Sequence, residues 1–276
     1  MAAEIPPAQW CADAVRRHDR ERWLTALFAP EPARRRLMAL YAFNLEVARA
    51  RESVSQPTLG LMRLQWWRDA LDGIAAGTPR GHPVVQALAE FPPDRSAVDR
   101  LLAARELDMQ DRPISDLTAL EDYAAATSAG LQHLALDALG IDQPDCRTAA
   151  GHVGSAWAMV GLLRAVPFHA ARGRLYLPLS LLVQCDATPE MILAGRFDAS
   201  LGRAVEQVAA TAQAHLDAAH RIRVPRAAMP ALLAATLAQQ HLKRLRRVGF
   251  DPFRLVGGTR PGDPVRLAWR AVRGRY

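Results

Sequence analysis

The chain has 276 residues, of which 50% are hydrophobic, 23% charged and 6% aromatic, and its formal net charge is +7. That composition is too apolar for a disordered chain and supplies enough material for one large core. No apolar run approaches the ~18–20 residues of a membrane-spanning helix, no secretory signal is apparent at the start, and three widely separated cysteines (Cys11, Cys146, Cys185) argue against a disulfide scaffold or zinc module and for a reducing, cytoplasmic setting.

Alanine fills 52 positions and arginine 34, beside one lysine, Lys243. With leucine these residues favour helix, and β-branched clusters are scarce. In chain order, Pro30 and Pro32 bracket a helix start, followed by Ala33, Leu37, Leu40, Tyr41, Asn44 and Ala48 at helical spacing. Thr58 is a candidate cap for a helix to Ile74, with Gly73 and Gly77 as stops. Thr118 and Glu121 read as a capping box opening a helix that ends at Gly140. Thr188-Pro189-Glu190 places proline and a carboxylate in a first turn. Helices are expected over Ala199–Arg221 and Ala227–Val248, and the stretches Gly77–Pro83 and Gly257–Pro264 are short enough for interhelical loops. No repeat or strand pattern interrupts this, so the expected class is all-α, one domain of about ten helices.

Two segments combine helical spacing with polar residues on an inner face: Leu40-Tyr-Ala-Phe-Asn-Leu-Glu-Val-Ala-Arg-Ala-Arg-Glu52 and Gly161-Leu-Leu-Arg-Ala-Val-Pro-Phe-His-Ala-Ala-Arg-Gly-Arg-Leu-Tyr-Leu-Pro178. With Leu64-Gln-Trp-Trp-Arg-Asp-Ala-Leu71 and Tyr123–Gly130 between them, they resemble the squalene/phytoene synthase family, all-α enzymes that join two prenyl diphosphates head to head. The resemblance implies an isoprenoid-synthase-like bundle around a central cavity. It spans residues 13–270, leaving an extension at 1–12 and a tail at 271–276.

In that family, aspartates on two facing helices hold the Mg²⁺ that neutralises a departing diphosphate. Such ions require oxygen ligands, usually carboxylates. The corresponding positions here carry Ala48, Arg49 and Glu52, then Ala165, Phe168 and His169, so five of six carboxylates are gone. Independently of any alignment, the forty residues from Cys146 to Cys185 contain no Asp or Glu, but four arginines (Arg147, Arg164, Arg172, Arg174) and two histidines (His152, His169). Pro167 removes a backbone hydrogen bond mid-helix and tends to kink or end it. No catalytic residue, metal site or cofactor is therefore expected. Mg²⁺ would belong only to the alternative, an active prenyl-diphosphate transferase of isoprenoid biosynthesis.

The wording Arg164-Ala-Val-Pro-Phe-His169 resembles the non-catalytic branch of the family typified by mitochondrial complex I assembly factor six and its bacterial relatives. That resemblance implies a role in building respiratory complex I, with its subunits or assembly intermediates as partners. An isoprenoid or lipid could occupy a retained pocket. Tyr41, Asn44, Arg49, Glu52, Arg164, Phe168, His169, Arg172, Arg174 and Tyr176 are the candidates for such a pocket or for anion binding. Arginine forks match phosphate oxyanions, whereas structural ion pairs explain the same residues. Tyr41, Phe43, Trp66, Trp67 and Phe168 read either as cavity lining or as core. Asp69 with Asp72, and Asp108 with Asp111, read as solvated or ion-paired faces, and His215 and His220 are wrongly spaced for a metal.

The last 36 residues, His241 to Tyr276, hold ten basic residues and two aspartates, which places the whole positive excess there. With Phe250, Phe253 and Trp269 interleaved, this region is a candidate for an anionic membrane surface, and no nucleic-acid motif accompanies it. The expected location is cytoplasmic, peripheral on the inner face of the plasma membrane. The arginine and alanine bias points to a GC-rich bacterial genome.

Overall fold

Prolines and short acidic caps set most helix starts in the computed structural model, which describes residues 5–110, 112–255 and 258–276. α1 (Pro7–His18) and α2 (Arg20–Ala26) meet at Asp19, whose carboxylate accepts the Arg22 backbone N–H at 3.1 Å and its guanidinium at 2.7 Å. α3 (Ala33–Ala48) begins at Pro32, as the prolines implied. α4 (Pro57–Ala75) begins at Pro57, and Thr58 is not its cap. The helix passes through Gly73, where an added Cβ would lie 2.9 Å from the Thr78 carbonyl oxygen, and is over by Gly77, whose φ is +74°. α5 (Pro83–Ala89) and α6 (Arg95–Glu106) follow, with Asp94 capping α6.

α7 (Leu117–Ala124), a π turn (Ala125–Ala129) and α8 (Gly130–Ala138) form one continuous helix. Its cap is Asp116, which accepts from the Ala119 N–H at 2.8 Å, so the box expected at Thr118 is not used. An aspartate two residues earlier offers a stronger acceptor to the same orphan N–H groups. Thr127 Oγ1 donates to the Tyr123 carbonyl at 2.7 Å, satisfying a group the wide turn frees.

α9 (Pro144–Ala170) is the central helix, with buried residues on every turn, and packs on α7 and α8. It runs three residues past Pro167, so the proline sits in the final turn and the helix ends soon after it. α10 (Leu179–Gln184) and α11 (Pro189–Leu193) are short; the latter has Pro189 and Glu190 in its first turn as expected, and Thr188 is its cap. α12 (Ala199–His220) lies along α9. The expected helix over 227–248 is instead divided into a 3-10 turn, α13 (Met229–Leu232) and α14 (Ala234–Arg247), with Pro230 one residue into α13. α15 (Asp263–Val272) ends the fold.

Fifteen α-helical segments, two of them fused through the π turn, thus make a single all-α bundle without strands among the described residues. No described helix is long and apolar enough to cross a membrane. Asp111 and part of the loop expected over 257–264 lie outside the described residues.

Candidate functional site

The candidate residues separate into three places. At the bundle centre, Arg164 on α9 donates to Glu21 Oε2 at 2.7 Å, and Glu21 Oε1 lies 2.5 Å from His241 Nε2 on α14. Glu21 has only acceptors, so the shared proton belongs to His241 Nε2. Burial would raise the Glu21 carboxyl, but His241 and Arg164 outweigh it and hold its pKa down at about 2. Burial lowers the pKa of His241 against the pull of Glu21. Arg22 then lies 5.8 Å from the Tyr41 ring centre and 5.7 Å from that of Trp157, so cation–aromatic contacts fill the space beside the ion pair. Tyr41, Asn44 and Phe43 are buried. Trp66 and Trp67 stack edgewise on His82, and Trp67 also lies edgewise to Phe43 and Trp66, with centroids 5.1 and 5.0 Å apart. These aromatics are packing, and none lines the cavity described below.

Arg49 and Glu52 lie elsewhere, exposed at and just beyond the end of α3. Glu52 is in a turn, off the helix on which a metal ligand would have to stand. Among the described residues no three His, Cys, Asp or Glu side chains converge as a metal site. Of the six motif positions only Glu52 bears a carboxylate, so these positions do not offer the set of oxygen donors that Mg²⁺ requires.

The third place does contain a cavity, of about 340 Å³, at the carboxyl end of α9. Its walls come from the turn after α6, the start of α7, the loop after α9, and α10 and α11. Backbone hydrogen bonds from Leu179 to Ile114 and from Ser180 to Ser115, both 2.9 Å, pin one wall to α10. Its size is at the low end for a drug-sized ligand. Leu107, Ile114, Leu175, Leu179 and Leu193 supply an apolar lining, while Arg112 and Arg174 are positive groups at the edge.

Asp108 anchors the polar side. Its carboxylate, 7% exposed, accepts from Tyr123 Oη at 2.9 Å, Tyr176 Oη at 3.0 Å and Arg105 Nη1 at 3.5 Å, and Arg105 also donates to Tyr123 Oη at 2.8 Å. Burial and the neighbouring carboxylate push both phenols above their ordinary range, so neither is a base near neutrality. For Arg105, burial is outweighed by Tyr123 and Asp108, and the guanidinium stays charged. His169 stacks on Tyr176 with centroids 4.5 Å apart, and its buried Nδ1 has no hydrogen-bond partner. Burial lowers it to about 4, opposed by Asp108 and assisted by Arg174 and Arg172. Phe168 is 39% exposed, with the Arg172 guanidinium 3.6 Å over its ring.

The structure thus brings Phe168, His169, Arg172, Arg174 and Tyr176 together. It sends Tyr41, Asn44 and Arg164 into the core and leaves Arg49 and Glu52 at the surface. Sequence reasoning missed Glu21, His241 and Arg105; Asp108, read as solvated or ion-paired, is ion-paired with Arg105 and largely buried. Arg105 and Asp108 are three residues apart, but their shared partner Tyr123 lies 15 residues beyond Asp108, and Glu21 and His241 are 220 residues apart, out of reach of a local pattern. Chemically, the arrangement holds a neutral imidazole, two locked phenols and one compensated carboxylate beside an apolar wall. It can bind an amphipathic molecule.

The squalene/phytoene synthase family profile matches residues 15–273. A protein of Rattus norvegicus named NADH dehydrogenase (ubiquinone) complex I, assembly factor 6, is 34% identical over 250 residues, covering 88% of this chain and 75% of that one. Presqualene diphosphate synthase of Rhodopseudomonas palustris is 27% identical over 198 residues, 70% of each chain. A crystal structure of a dehydrosqualene synthase in complex with ligand aligns with a TM-score of 0.84 at 18% identity, over 97% of this chain and 95% of the other. At that identity the likeness concerns the fold alone.

Proposed function

The chain belongs to the squalene/phytoene synthase family, and from that premise we propose that it is a non-catalytic member acting in the assembly of respiratory complex I. Its contacts would be with subunits or assembly intermediates of that NADH:quinone oxidoreductase. The observation that carries the reading is the donor chemistry on the two motif helices. Where carboxylates would bind Mg²⁺ there are Ala48, Arg49, Glu52, Ala165, Phe168 and His169. A single exposed carboxylate three residues from an arginine cannot neutralise a diphosphate through a metal. The name of the rat relative supports the assembly half of the reading.

On this reading the 340 Å³ cavity is a residual ligand pocket. Its leucine and isoleucine walls suit an isoprenoid or lipid chain, and Arg112 and Arg174 suit the polar end. Binding there makes and breaks no bond, and acts by stabilising the surface that partners meet.

Two experiments test the two halves. Purified protein given Mg²⁺ and farnesyl or geranylgeranyl diphosphate is expected to release no pyrophosphate. Metal-dependent release with a coupled squalene- or phytoene-type product would establish the rival reading, an active transferase. Deleting the gene is expected to lower NADH:quinone oxidoreductase activity and to leave subcomplexes behind. Normal assembly after deletion would reduce the protein to a lipid-binding module without that role.

A further inference from the structure

α15 carries three distinct stripes. Leu267 is fully buried, and Ala271, one turn on, packs against the core. Val265, Trp269 and Val272, spaced i, i+4, i+7, are 72%, 50% and 71% exposed. Arg266, Arg270 and Arg273 repeat that spacing one residue along. The exposed apolar stripe does not come from a frayed end. Asp263 at the start of α15 is ion-paired with buried Arg244 at 3.1 Å, and beyond its end Tyr276 Oη donates to the Ala219 and Ile222 carbonyls at 2.6 and 3.2 Å.

Beside the arginine stripe lies a cleft of about 560 Å³ between the end of α12 and the end of the chain. Arg223, Arg270, Arg273 and Arg275 converge on it together with His220, and its lining contains no Asp or Glu. Among the described residues, none of these four arginines is in an ion pair with a carboxylate; Arg273 instead lies 4.2 Å over the Trp269 ring. Asp217, three residues before His220, accepts from Gln213 at 2.8 Å and acts electrostatically on His220. Burial, then Arg275 and Arg266, depress the pKa of Arg270, as expected where positive charges crowd together.

We propose that this surface docks on an anionic phospholipid membrane, with a headgroup phosphate in the arginine cleft and Val265, Trp269 and Val272 entering the interface. Guanidinium forks match phosphate oxygens, and a tryptophan with one wet edge suits the headgroup level. Charge and apolarity act together here. A soluble phosphate or a nucleic acid would satisfy the arginines and leave Val265 and Val272 in water, whereas an anionic bilayer satisfies both stripes at once. Such binding is interfacial, with α15 lying in the plane of the surface. It does not depend on the assembly role proposed above.

The test is flotation of the full-length protein with vesicles of phosphatidylcholine alone or with phosphatidylglycerol added, at low and high salt. Binding is expected only with phosphatidylglycerol, and it weakens with salt. Replacing Arg270, Arg273 and Arg275 by Gln is expected to reduce partitioning about 100-fold, roughly fivefold per charge. The variant Arg273→Glu/Arg275→Glu, altering only exposed side chains, is expected to lose binding while its circular dichroism is unchanged. Trp269→Ala is expected to weaken vesicle binding and to leave any affinity for glycerol phosphate as it was. Equal binding to both vesicles, undiminished binding by the glutamate variant, or binding of glycerol phosphate or duplex DNA without vesicle binding would each overturn the proposal.

Discussion

Glu21 accepts from a guanidinium and an imidazole at the centre of the bundle, and both donors are themselves buried or nearly so. Such a cluster adds little net stability when complete and costs about 3–5 kcal/mol when one partner is removed. Glu21→Gln is therefore expected to lower unfolding stability by that amount, read from urea denaturation; a loss under about 1 kcal/mol would mean that water already solvates Arg164. The same residues set the response to acid. His169 has a folded-state pKa lowered from 6.5 to about 4, so the unfolded chain binds the proton more readily. The stability this contributes is complete above 6.5 and is lost as pH falls towards 4, up to about 3 kcal/mol. Glu21, lowered from 4.5 to about 2, adds a second loss below pH 4.5. His169→Gln is expected to flatten the upper part of the stability–pH curve and leave the lower. An unchanged upper slope would show that His169 is not responsible.

The close approach of α9 to the π turn depends on one glycine. A Cβ at Gly154 would lie 2.4 Å from the Ala129 Cα and 2.8 Å from the Ser128 carbonyl oxygen, both backbone atoms that cannot move without shifting a helix. Gly154→Ala is expected to cost at least about 3 kcal/mol despite the better helix propensity of alanine. At Gly60 the obstacle is the Met109 side chain, at 2.4 Å from the added Cβ. A thioether side chain can re-rotate, so Gly60→Ala should stay within about 1 kcal/mol of the parent. Thermal unfolding of the two variants separates these cases, and equal shifts would refute the distinction. Helix ends show the same division between local and tertiary control. Pro32 and Thr188 were legible as starts because their chemistry acts within one turn. The break at Leu233 was not, because Ala227–Val248 reads as one periodic stretch and α13 is set apart by how it packs against α2, α8 and α9.

Across the whole molecule, the family architecture persists, and the proposed loss of metal-dependent chemistry belongs to its centre. Arg22, Tyr41, Trp157 and the Glu21 cluster fill the space beside the motif helices, and a cavity of about 340 Å³ lies at the carboxyl end of α9. A prenyl diphosphate or its non-hydrolysable analogue is thus expected to raise the unfolding temperature without metal. At a hundredfold excess over its dissociation constant it would add about 2.7 kcal/mol. Mg²⁺ should change nothing further. A shift that requires Mg²⁺ would reveal a metal site among carboxylates that the geometry leaves apart.

The amino-acid sequence by itself determined the all-α class, the family through four ordered blocks, and the carboxylate-free stretch from Cys146 to Cys185. The class is written in the 3.6-residue period and the stretch in a simple count, while the family came from the resemblance of the four blocks. Only the tertiary structure decided which arginine serves which purpose. Arg164 is consumed by a glutamate 143 residues away, Arg105 by Asp108 and Tyr123, and Arg223, Arg270, Arg273 and Arg275 converge on one cleft. Thirty-four arginines look alike along the chain. A partner is chosen by which helix faces meet, and that is settled by packing the whole core.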